Sequence, residues 1–215
     1  MNKSTASTLT LFGAKGCGNA AIEALLELAD VRHERIDAAP WDATPATERL
    51  RALNPLGQVP TLVLGDGTVL TESAAMVLWL AAEHPALAPA TPAARAALHR
   101  WVVFLAANVY AALGVGDHPE AFLPAGDEAA RAALKAGADE RVRSCWQVLE
   151  RSLAPSSGPF LLGDSLSALD VYAAMLARWR PGRAWLESAC PRVAAATARA
   201  EAHPVVARVW ARHFS

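Results

Sequence analysis

The sequence predicts two domains of different class, an α/β domain followed by an all-α domain. In residues 1–84, apolar stretches of strand length alternate with segments whose apolar positions have helical spacing. Residues 85–92 are rich in proline and form the predicted linker. From 93 to 215 only helical spacing recurs, so we expect no strands there that would extend a sheet.

The first domain is predicted to contain seven elements in the order β-α-β-α-β-β-α. The second helix stops before Pro55, because the residue before a proline disfavours the helical conformation. Gly65-Asp66-Gly67 separates the last two strands, and its Asp-Gly pair is typical of a hairpin turn. The expected strands are 9–12, 31–37, 60–64 and 68–70, and the expected helices are 17–29, 44–53 and 72–83.

The second domain is predicted to consist of helices. Residues 115–127, which are rich in Gly, Pro and Asp, form a loop after the first of them. Ser167 and Asp170 have the spacing of a capping box, in which each side chain accepts the other residue's backbone N–H. We assign this pair to stability rather than to site chemistry. The expected helices are about 92–114, 128–153, 167–179, 187–200 and 204–213.

Composition and charge exclude several classes of function. Hydrophobic residues make up 53% of the 215 residues and charged residues 19%, as in an ordered globular protein. The formal net charge of −1 provides no basic field for nucleic acid or for a membrane surface. Cys17, Cys145 and Cys190 are far apart and odd in number, which fits neither a zinc site nor a disulfide scaffold. We interpret Cys145 and Cys190 as structural.

The same features predict a soluble, cytoplasmic protein. Residues 1–7, MNKSTAS, are a polar tail without the hydrophobic run of a signal peptide. The longest uncharged apolar run, 101–116, is shorter than the roughly 20 residues that a bilayer requires. Sparse, unpaired cysteines suit a reducing compartment.

The stretch TLTLFGAKGCGNAAIEALLELA, residues 8–29, combines a strand, a glycine loop and a helix. Its GCGNAA fits the G-x-G-x-x-A loop that holds a dinucleotide pyrophosphate, and Asp37 lies where an acid would bind a ribose hydroxyl. A dinucleotide fold needs about six alternating strands, whereas here the alternation stops after one β-α-β unit, which disfavours that interpretation. Cys17 lies where the helix begins, a position that favours a thiolate. A thiol site and a simple tight turn therefore stay open.

Residues 54–80, NPLGQVPTLVLGDGTVLTESAAMVLWL, closely resemble the glutathione-binding segment of the cytosolic glutathione S-transferases. The shared features are N-P-x-G-x-V-P-x-L, the hairpin and the E-S pair that opens a helix. The element order of the first domain is that of the family's thioredoxin-like domain, and the helical remainder matches its second domain, where GDSLSALDVYAA resembles the family's helix start. The resemblance implies glutathione as co-substrate, neither metal nor nucleotide, and a homodimer.

The resemblance also assigns the glutathione site. It implies a cis peptide bond before Pro60 that turns the backbone of Val59 outward, to pair with the cysteinyl part of glutathione; a trans proline opening an edge strand is the alternative. It implies that Ser73 holds the γ-glutamyl carboxylate at a helix N-terminus and that Glu72 faces the ammonium group. Without the resemblance, Thr71 would be the helix cap. The expected glutathione-binding residues are Gln58, Val59, Pro60, Glu72 and Ser73.

The family activates glutathione with a Tyr, Ser or Cys placed just after the first strand. Aligning 24–27 with the first helix of cysteine-type, beta-like bacterial members puts Cys17 on their cysteine, so Cys17 is the leading catalytic candidate. Its sulfur, or the first N–H groups of the helix, would hydrogen-bond the glutathione sulfur and favour its thiolate. Asn19 is the second candidate, because an amide can donate to a thiolate. The alternative for Cys17 is a small buried apolar residue.

The electrophile is expected to bind between the two domains, where pockets form readily. Trp101, Phe104 and Asn108 share one face of the first long helix, and Trp41 stands in the loop before the second helix. We take these four as candidates for the pocket, with core packing or loop anchoring as the alternatives.

The resemblance therefore implies a glutathione transferase with a role in detoxification. The reaction is attack of the glutathione thiolate on a small electrophile, or thiol–disulfide exchange through Cys17. A non-catalytic member of the fold that binds a ligand or a partner is the main alternative. A thioredoxin-like oxidoreductase independent of glutathione is disfavoured, because Ala20 stands where a C-x-x-C pair would have its second cysteine.

Overall fold

The structure is a computed structural model that describes residues 8–123, 126–153 and 158–215. The predicted polar tail 1–7 lies outside the described residues, as do residues 124 and 125 of the predicted loop. The described elements confirm the predicted fold class: an α/β part in the order β-α-β-α-β-β-α is followed by helices.

A mixed four-stranded sheet forms the α/β part. Its strand order is β2-β1-β3-β4, with β1 parallel to β2 and the other neighbours antiparallel. Phe12, Ala38 and Leu50 form a buried cluster between this sheet and the second helix. The strands are β1 (Leu9–Gly13), β2 (His33–Asp37), β3 (Thr61–Val63) and β4 (Val69–Leu70).

Three helices follow the strands of this part: α1 (Asn19–Leu28), α2 (Pro45–Leu53) and α3 (Ser73–Glu83). α1 is buried from Asn19 to Leu26, which explains its apolar positions on more than one face. α2 begins at a capping box, in which the Thr44 hydroxyl accepts from the N–H of Thr47 at 3.2 Å.

The helical part contains seven α-helices among the described residues. Its most deeply buried helix is α7, where every residue is buried. One π-helical segment, Leu105–Tyr110, interrupts the predicted helix 92–114, and a helix at Arg183–Ala189 was not predicted. The helices are α4 (Pro92–Phe104), α5 (Ala111–Asp117), α6 (Glu128–Ser152), α7 (Ala168–Leu176), α8 (Arg183–Ala189), α9 (Pro191–Ala202) and α10 (Pro204–Phe214).

Of the described helical runs, Pro92–Asp117 is long and apolar enough, by length and composition, to cross a membrane. It packs against α6 and α7. The core helix of a globular protein has the same composition, and this packing accounts for the buried apolar residues of the run.

Contacts divide the chain into two compact units. Unit 1 comprises 1–88 and 201–215, and unit 2 comprises 89–200. The last helix, α10, is therefore grouped with the sheet, whereas the sequence analysis placed it in the predicted helical domain. Its contacts with α1 are the reason. The limits 1–84, 85–92 and 93–215 stay a prediction.

Candidate functional site

One end of the sheet gathers four of the predicted site segments. Gly13, the last residue of β1, pairs with Asp37, the last residue of β2. Because β3 runs the other way, its first residue, Thr61, pairs with Phe12 at this same end. β4 is antiparallel to β3, so the chain also leaves β4 here. The loop after β1, the loop after β2, the segment before β3 and the start of α3 therefore emerge from one edge.

The start of α3 is the predicted position of the carboxylate-binding residues. Glu72 is its N-cap residue, and the Glu72 side chain makes no capping hydrogen bond. The expected alternative cap, Thr71, is thus not the N-cap residue. Ser73 is the first residue of the helix and is buried. The first N–H groups of an α-helix carry partial positive charge and lack partners within the helix.

The backbone at Glu72 is strained. Its φ is +64° and its ψ is +108°, a conformation that costs a residue with a Cβ about 1–3 kcal/mol. The side chain itself is exposed. Such outliers persist where the surrounding structure requires a particular backbone direction, and here it is the direction in which α3 begins.

A buried amide holds the segment between α2 and β3. The Nδ2 group of Asn54 donates to the carbonyl of Gln58 and to the hydroxyl of Thr61, both at 3.1 Å. Its Oδ1 accepts from the N–H of Leu56 at 3.1 Å, and the Thr61 hydroxyl also donates to the carbonyl of Gln58 at 2.9 Å. These four hydrogen bonds fix the backbone immediately before Val59. We call them the Asn54 clamp.

The structure confirms the cis peptide bond between Val59 and Pro60. Gln58 has an exposed side chain and a carbonyl bound by the Asn54 clamp. The sequence indicated the neighbours of Asn54 but not Asn54 itself. Its position at the start of N-P-x-G-x-V-P was the available signal, since an Asn before a proline favours a turn.

Cys17 lies in the turn between β1 and α1, and it is half-buried. Its N–H donates to the carbonyl of Ala14 at 3.3 Å, which closes the turn. Burial raises the pKa of the Cys17 thiol. Desolvation disfavours the charged form and so opposes the lowering of the pKa that a helix start favours. Cys17 follows the end of β1, and its S–H can act as a weak donor there.

Asn19 is buried under the turn, whereas a direct donor to glutathione needs to reach the ligand. It is 0% exposed, and its Oδ1 accepts from the N–H of Ala14 at 3.0 Å. Gly13 has no Cβ, and a Cβ there would overlap the Asn19 side chain. Among the described residues the Asn19 Nδ2 has no hydrogen-bond partner. Asn19 thus packs under the turn and holds its first residue.

The electrophile candidates occupy separate environments. Trp41 is 71% exposed, in the loop that follows β2. Trp101 is 4% exposed, so it packs as a core residue. Its ring centroid lies 5.2 Å from that of Phe104 in a T-shaped arrangement, and the Arg100 guanidinium lies over its ring at 4.3 Å. The Oδ1 of the half-buried Asn108 accepts from Arg141 of α6 at 2.7 Å.

The capping residues of α7 are structural, as predicted. The Asp170 carboxylate accepts from the N–H of Ser167 at 2.9 Å and from its hydroxyl at 2.6 Å. It also accepts from the N–H of Leu161 at 2.7 Å, which ties the preceding loop to the helix. Asp170 is buried, and burial raises its pKa although these hydrogen bonds act in the opposite direction.

Two family models match most of the chain. The model described as glutathione S-transferase, N-terminal domain, matches residues 21–83. The model described as glutathione S-transferase, C-terminal domain, matches residues 120–212.

Individual relatives agree with these matches. The Escherichia coli K12 protein named "Uncharacterized GST-like protein YncG" is 33% identical over 189 residues, which cover 87% of this chain and 89% of that protein. A glutathione transferase homologue from Sulfitobacter, solved with bound glutathione, superimposes with a TM-score of 0.81 at 26% identity, covering 94% of this chain and 97% of that one. A sphingomonad glutathione S-transferase complexed with glutathione has a TM-score of 0.74 at 27% identity, with 96% and 100% covered.

Proposed function

This chain belongs to the glutathione S-transferase family, and on that premise we propose that it binds reduced glutathione at the edge of its sheet and transfers it to a small electrophile. The observation that carries the proposal is the start of α3. There Ser73 opens a helix whose N-cap side chain makes no capping hydrogen bond. An α-helix N-terminus of this kind attracts a carboxylate.

Glutathione is proposed to lie along the sheet edge between α3 and the turn at Cys17. Its γ-glutamyl carboxylate binds the first turn of α3 at Ser73, and its ammonium group faces the exposed carboxylate of Glu72. Its cysteinyl part pairs with the backbone of Val59, flanked by Gln58 and Pro60. The Asn54 clamp supports this arrangement, because it fixes the backbone of that segment before the ligand arrives.

Cys17 is proposed to act on the glutathione sulfur as a donor. A thiol whose pKa is raised by burial keeps its proton, and that proton can be shared with a neighbouring thiolate. The glutathione thiol passes its own proton to water, and the resulting thiolate is stabilised by the Cys17 S–H. Attack then forms a carbon–sulfur bond while the bond to the leaving group breaks. Thiol–disulfide exchange through Cys17 is less favoured, since it needs the Cys17 thiolate.

Asn19 is proposed to support Cys17 from below rather than to touch the ligand, because the amide is buried and bound to Ala14. Trp41, Phe104 and Asn108 stay predictions for the electrophile pocket, and Trp101 is proposed to support the helix that carries two of them. A homodimer, a cytoplasmic location and a detoxifying role are proposed on the family resemblance alone.

Calorimetric titration with reduced glutathione tests binding. Saturable binding to the wild type that is lost in Ser73→Ala supports the proposal, and no binding to the wild type contradicts it. Ser167→Ala, which changes a serine at another helix N-terminus, is the matched control and is expected to bind as the wild type does.

Cys17 variants test the donor role. Cys17→Ser retains an O–H donor and is expected to keep the low thiol pKa of bound glutathione, whereas Cys17→Ala is expected to raise that pKa. A nucleophilic Cys17 would give a different pattern. Both variants would then lose turnover and mixed-disulfide formation to the same extent.

A second candidate function is a non-catalytic glutathione-binding protein. The raised pKa of Cys17 and the burial of Asn19 favour it, because neither group then presents a charge or a strong donor to the ligand. Tight glutathione binding without turnover over a broad panel of electrophiles would identify this case.

A further inference from the structure

Two neighbouring side chains at the end of α10 bind a buried carboxylate on α1. Glu23 is 3% exposed. Its Oε1 accepts from Nε and Nη2 of Arg212 at 3.0 and 2.7 Å, and its Oε2 lies 2.7 Å from Nε2 of His213. Arg212 also contacts Glu27 one turn further along α1, and Glu27 pairs with Arg208 at 2.9 Å. We call Glu23, Glu27, Arg212 and His213 the α1–α10 cluster.

The cluster constrains how the two helices meet. Arg212 donates from two nitrogens of its planar guanidinium to one carboxylate oxygen of Glu23. His213, the next residue along the chain, contacts the other oxygen. This arrangement allows one register and one orientation. The neighbouring buried residues of α1 include Ala20, Ala21 and Ala24, whose small side chains fit several registers. Fixing a register is the best-attested role of buried ionic groups.

The last turn of α10 lies near the turn that carries Cys17. A Cβ on Gly16 would lie 3.8 Å from the carbonyl oxygen of His213, an ordinary contact distance. Asn19, which holds Ala14 at the other end of this turn, precedes Glu23 by one helical turn and shares its buried face. The turn is thus bounded on one side by α1 and on the other by α10.

We infer that α10 positions the turn that carries Cys17, with Glu23, Arg212 and His213 as positioning residues. A displacement of α10 along α1 moves the His213 carbonyl against Gly16 and changes where the Cys17 sulfur lies. The inference rests on the proposed function, in which that sulfur faces the sulfur of glutathione. None of the positioning residues is required to touch the ligand.

The test compares two conservative variants on the same helix. Arg212→Lys keeps the positive charge and loses the fork. Arg208→Lys is the matched control, because the Arg208 side chain is 59% exposed and pairs only at the rim of the cluster. The first readout is the rate at which iodoacetamide alkylates Cys17 in the ligand-free protein, which is selective because Cys145 and Cys190 are buried. The second is the dissociation constant for reduced glutathione.

Arg212→Lys is expected to change both quantities by about tenfold, since a misplacement of about 1 Å in such a site can cost about a hundredfold. Arg208→Lys is expected to leave both unchanged. His213→Ala, which removes the partner of Glu23 Oε2, serves if Arg212→Lys does not fold, and the same change is expected.

If Arg212→Lys lowers the urea midpoint but leaves the alkylation rate of Cys17 and the dissociation constant for glutathione unchanged, the inference is overturned. The cluster would then only add stability. Failure of the wild type to bind glutathione would contradict the proposed function instead. In that case the alkylation rate of Cys17 still decides whether α10 positions the turn.

Discussion

Substitution of Glu23 by Gln should remove a pH-dependent part of the stability. Burial by itself raises the pKa of Glu23, but hydrogen bonds and positive charge from His213 and Arg212 lower it from its ordinary 4.5 to about 2. At about 1.4 kcal/mol per pKa unit, this difference corresponds to about 3 kcal/mol of folding free energy. Because the folded pKa lies below the unfolded one, that stabilisation is complete above about pH 4.5 and is lost as the pH falls towards 2.

Urea unfolding of the wild type and Glu23→Gln, measured from neutral pH down to about pH 2.5, tests this reasoning. The wild type is expected to be the more stable protein near neutrality, and the difference in free energy of unfolding should shrink by about 2–3 kcal/mol over the acid range. Glu34→Gln, which changes an exposed carboxylate on β2, controls for net charge. Parallel curves for the wild type and Glu23→Gln would refute the assigned cause of the lowered pKa.

Three further substitutions give distinct signatures. Glu72→Gly should relieve the strained φ and raise stability by about 1 kcal/mol while weakening glutathione binding, whereas Glu72→Gln should weaken binding with unchanged stability; equal urea midpoints for the two variants would contradict this. Asn54→Asp turns an acceptor towards the Gln58 carbonyl and should therefore cost about 2 kcal/mol of stability. It should also raise the KM for glutathione more than it lowers kcat. Asp170→Ala strands buried N–H groups at the start of α7, and thermal unfolding should show a loss of about 3 kcal/mol with no change in glutathione affinity.

The sequence was sufficient where a feature depends on neighbours along the chain. The hairpin at Gly65-Asp66-Gly67, the start of α3 and the Asp170 cap are set by residues a few positions apart, and each lies where it was predicted. Helix α8 was missed because its seven residues are too few for an apolar period to stand out. The π-helical segment keeps the composition of an ordinary helix, so its changed hydrogen bonding left no signal.

The site was predicted less completely, because burial and distant partners decide it. A helix start lowers the pKa of a cysteine, but burial acts in the opposite direction, and the half-buried environment of Cys17 depends on the fold. Asn19 has the right chemistry for a donor but lies under the turn. The hydrogen-bond partners of Glu23 stand 189 and 190 positions further along the chain, where no local pattern can indicate them.

The two halves of the proposed glutathione site differ in the interactions that hold them in place. The segments at Val59 and Ser73 are fixed locally, by the Asn54 clamp and by the start of α3. The turn at Cys17 is closed locally by its hydrogen bond to Ala14 and, in our inference, is positioned by α10 from far along the chain. In the proposed site one ligand reaches both halves, so we expect its reactivity to depend on how accurately α10 is seated against α1. That dependence gives a physical reason for a buried ion-pair cluster where apolar residues would stabilise the fold as well or better.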